Sequence, residues 1–332
     1  MRKIYYLLII ILLKYSCYAN KKDLFRERMD NYTKKVKLQW EFNPLKNYET
    51  DRYFSGWLDP DSYSSRFYLG EIFNIKELYP NKNFNFDKMS FYYQPTLATE
   101  VTPISFRYKN IHRFKIGIGY LVHFFLSRYN SGYDQYYGQS LFYGTYMQVE
   151  VFFDYIFNDS FKFRISPLKH ICSHINGDIL GDTNLYNSEE EFRDSGFEQM
   201  QLSIYYKYGW FTFYGGLNFA ISGFKKSNFI NLFNVFTGID LRVPIWGEIS
   251  FVSGLYFAGN YDRLNNILRN HNNERYYIVN SEDKYFPALS IGVGFEIYRI
   301  IIGVRYDYIR SKQLYAYKIM ENKIGLDISL YL

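Results

Sequence analysis

The chain ends with the segment Lys323-Ile324-Gly325-Leu326-Asp327-Ile328-Ser329-Leu330-Tyr331-Leu332, in which every second residue is apolar. In an extended strand, one face carries Ile, Leu, Ile, Leu and Leu, and the other carries Lys, Gly, Asp, Ser and Tyr. This period of two is the pattern of a β-strand with one apolar and one polar face. The segment is also longer than the roughly five or six residues usual in a strand of a soluble sandwich. It therefore predicts a long strand between two different environments.

The same alternation recurs upstream, at residues 114–124, 141–155, 233–243 and 300–308. The apolar faces of these segments are rich in aromatic residues, and the polar faces combine glycines with charges of both signs. Tight connections and long connections follow each other along the chain, as in outer-membrane barrels, whose interior is the polar side. A closed barrel also satisfies every backbone hydrogen bond within lipid. We therefore predict an all-β fold, an antiparallel transmembrane outer-membrane β-barrel.

The number of strands follows from counting these segments. Eleven strands lie between Thr102 and the C-terminus, and residues 36–43, 64–75 and 88–99 could supply one to three more. Bacterial single-chain barrels have an even number of strands. We predict about 12 strands, within a range of 12–14, in a barrel domain that spans residues 36–332.

The composition excludes several other classes of protein. The 332 residues include 37 Tyr, 31 Phe and 4 Trp but only 8 Pro, which argues against a disordered chain and against a coiled coil. The mean hydropathy is -0.29. Beyond position 19, no stretch approaches the roughly 18 unbroken apolar residues of a spanning helix. A helical membrane protein is therefore excluded.

The N-terminus has the layout of a secretory signal. Residues 2–3 are basic, residues 5–13 form an apolar core, and residues 17–19 provide a small-x-small cleavage site. We predict a signal peptide at residues 1–19 and a periplasmic N-terminal lead at residues 20–35.

The alternatives to cleavage are a retained anchor, whose short apolar core Lys14 interrupts, and a lipoprotein signal acylated at Cys17. After cleavage Cys172 is the single remaining thiol, so no internal disulfide can form. Loss of Arg2, Lys3 and Lys14 lowers the formal charge from +6 to +3, which weakens the case for a nucleic-acid-binding protein.

The polar strand faces predict a network of charges inside the barrel. Its core members are Glu150, Asp154, Lys162, Arg164, Asp240, Arg242, Arg305 and Asp307. The same alternation adds Lys115 and Lys207 to the basic side and Glu248, Glu296 and Asp327 to the acidic side, so six basic groups face seven acidic ones. A strongly selective pore favours one sign of charge, whereas a balanced set can pair across the interior. We therefore predict a narrow and largely plugged lumen.

The densest polar cluster is the segment His170-Ile171-Cys172-Ser173-His174-Ile175-Asn176-Gly177-Asp178, at the end of a strand that begins near Phe161. Counting by twos from Phe161 predicts that His170, Cys172 and His174 point into the lumen. On the same count, Lys169 and Ser173 interrupt the lipid face.

Three chemistries compete for this cluster, and its candidate catalytic residues are His170, Cys172, Ser173, His174 and Asp178. A thiol and an imidazole on one strand face could act as nucleophile and base. Three ligands on one strand could bind a metal ion only with a further partner such as Asp178. A hydrogen-bonded network in the lumen needs no special chemistry, because barrel interiors are filled by such side chains. We favour the network.

The spacing His170-Ile171-Cys172 is similar to the His and Ser two residues apart in barrel-type phospholipases and lipid A deacylases. Those enzymes face lipid to reach an acyl ester, whereas the alternation here turns both residues inward. A thiol also replaces the hydroxyl. An acyl hydrolase is therefore an alternative function.

Several short motifs resemble a bacterial outer-membrane family catalogued as a domain of unknown function. Residues 94–103 (QPTLATEVTP), followed by Ser105-Phe106, resemble its P-x-L-A…P signature, and residues 170–178 resemble its H-I-S-S-H-L-G-D signature, with Cys172 for serine and an additional Asn176. Arg193-Asp194 and Tyr214-Gly215-Gly216 are also similar. The resemblance implies an outer-membrane barrel with a His-rich strand end, and it implies no known reaction.

We therefore expect a protein of the bacterial outer membrane with a surface or structural role, or a narrow channel, rather than an enzyme. The alternatives are the acyl hydrolase and a solute porin. The expected partners are outer-membrane lipid and the barrel insertion machinery, with no nucleic acid, no cofactor and no metal. The sequence has no phosphate-binding glycine loop and no HExxH or GxSxG motif.

Overall fold

The fold is described from a computed structural model, for residues 38–41, 51–74, 89–109, 111–129, 140–175, 195–223, 227–270, 275–312 and 320–331. The predicted signal peptide (1–19) and lead (20–35) lie outside these residues and stay predictions. In the described residues the strands are β1 (Leu38–Glu41), β2 (Ser65–Ile72), β3 (Met89–Tyr108), β4 (His112–Tyr129), β5 (Ser140–Phe157), β6 (Phe161–Ile175), β7 (Ser195–Tyr208), β8 (Phe211–Ala220), β9 (Phe229–Trp246), β10 (Ile249–Asn270), β11 (Arg275–Ile297), β12 (Ile300–Arg310) and β13 (Met320–Leu330). No helix in this part of the chain is long and apolar enough to cross a membrane.

Strands β2 to β13 close into a barrel of twelve strands. Each pairs antiparallel with the next along the chain, and β13 pairs with β2 from Leu330↔Ser65 to Lys323↔Ile72. The predicted all-β antiparallel barrel of about 12 strands is therefore confirmed. The eleven strands counted from Thr102 are also confirmed, but residues 88–99 are not a separate strand, because β3 runs through them.

The first position in the wall is shared by two strands. Both β1 and β2 pair with the same edge of β3, with Leu38↔Tyr108 near one end of β3 and Arg66↔Thr96 further along it. Between β1 and β2, residues 51–64 turn into the barrel. We call residues 51–64 the lumen plug.

The outer surface is apolar. Large side chains such as Ile118, Phe153, Phe257 and Val304 point outward and are exposed. Short turns join the strands at one end of the barrel, here called the short-turn end, and aromatic residues gather there, with Trp246 at 80% exposure. An apolar band edged by aromatic residues is the lipid-facing surface of an outer-membrane barrel. The protein is a transmembrane barrel of the bacterial outer membrane.

The core lies inside the barrel, on the plug. Phe54, Trp57 and Leu58 are buried there, and the wall leaves room for them at glycines. A Cβ atom added at Gly292 would come within 2.9 Å of the Trp57 ring, and one at Gly254 within 3.0 Å of Leu58. The lumen glycines therefore leave the space that the side chains of the plug occupy.

Candidate active site

Strand β6 changes the side on which its residues lie at Pro167 and Leu168. Opposite β7, Ser166 pairs with Gln201 but Lys169 pairs with Gln199, so β6 contains one additional residue. The same shift appears opposite β5. Such a bulge reverses the parity of every later residue. Proline suits this position because it has no N–H to donate to a neighbouring strand.

Because of the bulge, the His-Cys cluster lies on the opposite face from the one that alternation predicted. Lys162 and Arg164 face inward before the bulge, as predicted, but after it Lys169 and Ser173 are the buried, inward residues. His170 is exposed on the outer face, and Cys172 shares that face. The prediction that His170 and Cys172 point into the lumen is therefore wrong.

Of the three remaining candidates, one lies inside the barrel, and the other two have side chains that the structure does not describe. The single O–H of Ser173 is shared, inside the barrel, between the carbonyl oxygens of Thr145 and Lys312, which are both 3.3 Å from its Oγ. The side chain of His174 and all of Asp178 lie outside the described residues. The candidates that the structure brings together on one face are His170 and Cys172.

A carboxylate on the next strand orients His170. His170 is paired with Glu198 of β7, and its Nδ1–H donates to Glu198 Oε1 at 3.1 Å. This assignment of the proton follows from the acceptor, since a carboxylate can only accept. In the neutral imidazole, Nε2 is then the nitrogen that carries the lone pair. Both side chains are accessible, at 47% for His170 and 31% for Glu198.

The surface beside the thiol is open. Cys172 forms no disulfide in the described residues, and in the strand register it is opposite Met147 of β5 and Gly196 of β7. Within the part of the chain that the structure describes, a Cβ atom added at Gly196 would meet no atom within 4 Å. A group approaching Cys172 along the outer face therefore has room on the Gly196 side.

The site lies toward the far edge of the apolar band. A strand rises about 3.3 Å per residue and tilts by about 40°, so the nine positions from Phe161 to His170, less the bulge, span roughly 20 Å along the barrel axis. The apolar band of such barrels is about 25 Å tall. His170 is therefore near the boundary between acyl chains and head groups on the long-loop side.

Thiol, imidazole and carboxylate on one surface are the parts of a nucleophile, a base and an orienting group. Residues two apart on one strand face have Cα atoms roughly 6–7 Å apart, a gap that the side chains of His170 and Cys172 must close. In the described residues no group of three or more His, Cys, Asp or Glu side chains could hold a metal ion.

Glu198 is not among the candidate site residues that the sequence predicts. The signal was present in Gly196-Phe197-Glu198-Gln199, where alternation continues the pattern of β7 back to Ser195. Phe197 and Gln199 face inward and are buried, so Glu198 faces outward.

The predicted network of charges is inside the barrel. All eight of its core members are buried, and they are Glu150, Asp154, Lys162, Arg164, Asp240, Arg242, Arg305 and Asp307. Arg164 contacts Glu100 at 2.5 Å, Glu150 at 2.9 Å and Asp154 at 2.6 Å. Glu248, predicted to face the lumen, is instead exposed in the turn between β9 and β10.

The plug is held by groups from many strands. Asp51 pairs with Lys115 at 2.6 Å, and the carbonyl of Phe54 accepts from Lys162 at 2.9 Å. Trp57 Nε1 donates to Asp327 at 2.9 Å, and its backbone N–H donates to Asp240 at 2.9 Å. The network that alternation predicted therefore binds a segment that it did not predict.

Two plug carboxyls have shifted pKa values. Burial and then the neighbouring Asp61 carboxylate raise the pKa of Asp59 to about 6. Burial alone would raise the pKa of Asp61, but the cations Lys312 and Lys169 together lower it below its usual range. Asp61 is thus an anion among buried cations, whereas Asp59 titrates in a mildly acidic range.

Comparison with known proteins gives similarities in architecture alone. No protein-family model matches the chain, and none of the curated proteins matches it. The outer membrane phospholipase of Salmonella typhi, solved as a dimer with bound calcium, is 9% identical with a TM-score of 0.49, covering 82% of this chain and 93% of that one. Outer membrane phospholipase A from Escherichia coli is 10% identical with a TM-score of 0.47, covering 82% and 91%. LpxR from Salmonella typhimurium is 7% identical with a TM-score of 0.40, covering 81% and 100%. At these levels the similarities do not bear on activity.

Proposed function

We propose that this outer-membrane barrel is a thiol-dependent acyl hydrolase that acts on lipid esters from its outer face. Cys172 is the nucleophile, His170 is the general base, and Glu198 orients the imidazole. The observation that carries the proposal is the bulge at Pro167 and Leu168, which turns His170 and Cys172 toward lipid beside Glu198. Among the alternatives from the sequence, the hydrolase was the one that required this placement.

The proposed reaction balances with water as the only co-substrate. His170 Nε2 accepts the thiol proton of Cys172, and the sulfur attacks the ester carbonyl carbon. The ester C–O bond breaks, and the leaving alkoxide takes the proton from His170. Water then attacks the thioester carbonyl carbon while His170 accepts a proton from it, the C–S bond breaks, and His170 returns the proton to the sulfur as the fatty acid is released.

The surroundings of the site favour an ester within a lipid. Val149 is paired with His170, Leu168 precedes it by two residues, and both side chains are exposed on the apolar outer surface. An acyl chain lying along these residues would bring its ester group to the height of Cys172. Phospholipids and lipid A both present acyl esters at that depth.

The test is fatty acid release by the refolded barrel in mixed micelles that contain either phosphatidylethanolamine or lipid A. We expect Cys172→Ala to reduce the rate to the level of protein-free micelles and His170→Asn to reduce it by at least about 100-fold. The matched control is Ser166→Ala, a buried serine on the same strand before the bulge, which should leave the rate within about two-fold. Full release by Cys172→Ala would overturn the proposal, and the lipid that is cleaved identifies the substrate.

A second candidate function, a structural barrel without catalysis or conductance, is favoured by the plug. Phe54, Trp57 and Leu58 fill the centre of the lumen, and a cavity beside the plug measures about 30 Å³. That is room for one or two water molecules, which weighs against a narrow channel and against a solute porin. In planar bilayers we expect no single-channel steps. Absence of both conductance and hydrolysis would support this candidate over the hydrolase.

A further inference from the structure

The inner face of the wall directly behind the proposed site is fully occupied. Behind His170 and Cys172 lie the inward side chains of Lys169, Ile171 and Ser173, all of them buried. Lys169 Nζ donates to Gln201 of β7 at 3.1 Å. Inner and outer side chains alternate on one backbone, so a displacement of Lys169, Ile171 or Ser173 also displaces His170 and Cys172.

The tip of the plug, Pro60 and Asp61, reaches this inner face directly through β5 and indirectly, through Lys312, at β6 itself. On β5, Gln148 is paired with Ile171, and its Nε2 donates to the carbonyl oxygen of Asp61 at 3.0 Å. Beyond β12, Lys312 Nζ donates to the Pro60 carbonyl at 3.1 Å and pairs with the Asp61 carboxylate. The carbonyl of Lys312 in turn accepts from Ser173 at 3.3 Å.

Charge also favours this arrangement. The Asp61 carboxylate forms an ion pair with Lys312. Lys169, which is adjacent to His170 in sequence, also contributes to lowering the pKa of Asp61. Replacing the carboxylate by a neutral group would leave buried cations without their compensating charge. Lys312, whose carbonyl accepts from Ser173 of β6, would then lose the ion pair that holds its side chain.

We propose that Asp61 is a positioning residue for the outer site, and that the plug tip holds the inner face of β5 and β6 so that His170 and Cys172 keep their geometry. The inference rests on the proposed function, because it concerns the geometry of the proposed catalytic residues. One of its tests, alkylation of the thiol, does not require hydrolase activity. Orientation of a base and a nucleophile is sensitive to displacements of about 1 Å, which can change a rate by about 100-fold.

The experiment compares variants of the full chain at the two ends of the plug. Asp61→Asn removes the charge at the tip, and Asp61→Glu restores it. Asp51→Asn is the matched control, because Asp51 is also a plug carboxylate paired with a buried lysine, Lys115, but near the short-turn end. Lys312→Met tests the same contact from its other partner if Asp61→Asn does not fold. Heat-modifiable gel migration identifies the folded variants.

Two readouts are measured on each folded variant. For hydrolysis, Asp61→Asn should lower kcat by about 10-fold with KM unchanged, Asp61→Glu should recover most of it, and Asp51→Asn should stay within about two-fold. For thiol reactivity, alkylation of Cys172 by a lipid-soluble maleimide across pH, followed on its peptide by mass spectrometry, should change its midpoint with Asp61→Asn and not with Asp51→Asn.

The two readouts separate the inference from the proposed function. If the wild-type barrel releases no fatty acid, the proposed function fails, and the alkylation profile still tests the positioning role. If Asp61→Asn and Lys312→Met both keep the wild-type alkylation profile and rate, the positioning role is overturned. An equal effect of Asp51→Asn and Asp61→Asn would also overturn it, because a general loosening of the plug would then explain both.

Discussion

Strands β6 and β13 belong to the same wall but follow the alternation rule differently. In β13 the buried residues Lys323, Asp327 and Ser329 all fall on one parity, and the apolar residues face lipid on the other. In β6 the parity changes once, at Pro167 and Leu168. A strand that keeps its parity separates lipid from lumen. A strand that changes parity brings polar side chains to the lipid surface and can therefore carry a site there.

The largest expected effect comes from making β6 resemble β13. Deletion of Pro167 removes the additional residue, so His170 and Cys172 should face the lumen and Lys169 should face lipid. We expect hydrolysis to fall by at least about 1000-fold, since nucleophile and base are both lost from the surface. Labelling of Cys172 by a lipid-soluble maleimide should fall with it.

The control for that deletion is the folded state of the variant, checked by heat-modifiable migration. A lysine in lipid costs about 2–4 kcal/mol at mid-membrane and less near the boundary, which a stable barrel can absorb. A folded deletion variant that still labels from the lipid phase would contradict the role of the bulge.

A second prediction concerns the contact of β13 with the plug. Trp57→Ala removes a fully buried ring and leaves Asp327 without its indole partner, so the free energy of unfolding should fall by about 3–5 kcal/mol. Urea unfolding followed by circular dichroism measures this loss. Trp246→Ala, at the short-turn end of β9, should change the free energy of unfolding by less than about 1 kcal/mol. Equal effects would mean that the plug contributes little to stability.

A third prediction separates orientation from stability in β6 and β7. Glu198→Gln removes the charge that orients His170, so kcat should fall by about 100-fold while KM and the urea midpoint stay unchanged. Tyr206→Phe, another outward position on β7, is the control and should keep the wild-type kcat. A normal kcat in Glu198→Gln would remove Glu198 from the mechanism.

The smallest effect is a dependence of stability on pH. The pKa of Asp59 is raised in the folded state, to about 6, so its protonated form stabilises the fold at low pH and this contribution is lost as the pH rises through 6. Between pH 5 and pH 7 the free energy of unfolding should fall by about 1 kcal/mol. Asp59→Asn should abolish that difference, and an unchanged slope in Asp59→Asn would assign it to another group.

The sequence was sufficient where alternation is uninterrupted. It predicted the twelve-strand barrel and the inward side of Asp240, Arg242, Arg305 and Asp307, because a strand between lipid and lumen must sort its side chains by polarity. It predicted the wrong face for His170, because alternation alone does not show where a strand contains an additional residue. Pro167 was the available signal, since proline inside a strand marks a bulge or an edge.

The plug was missed for a related reason. Residues 36–43 and 64–75 were recognised as strand candidates, and the segment between them shows no alternation to interpret. Trp57-Leu58 between acidic residues is apolar enough for a core but has no strand period. Its partners in the wall were visible as charges and glycines, yet only three-dimensional closure brings β4, β6, β9, β12 and β13 to one segment.

The division of the first wall position between β1 and β2 limits how the barrel can be assembled and opened. The plug is tethered to β3 at both of its ends, so it has no free terminus that could be drawn into or out of a finished cylinder. Opening the lumen would require the segment to leave as a doubled loop, which is wider than a single extended chain. We therefore expect residues 51–64 to lie inside before the eight residue pairs between β13 and β2 complete the seam. Closure of that seam is the step that commits the chain to an occluded barrel.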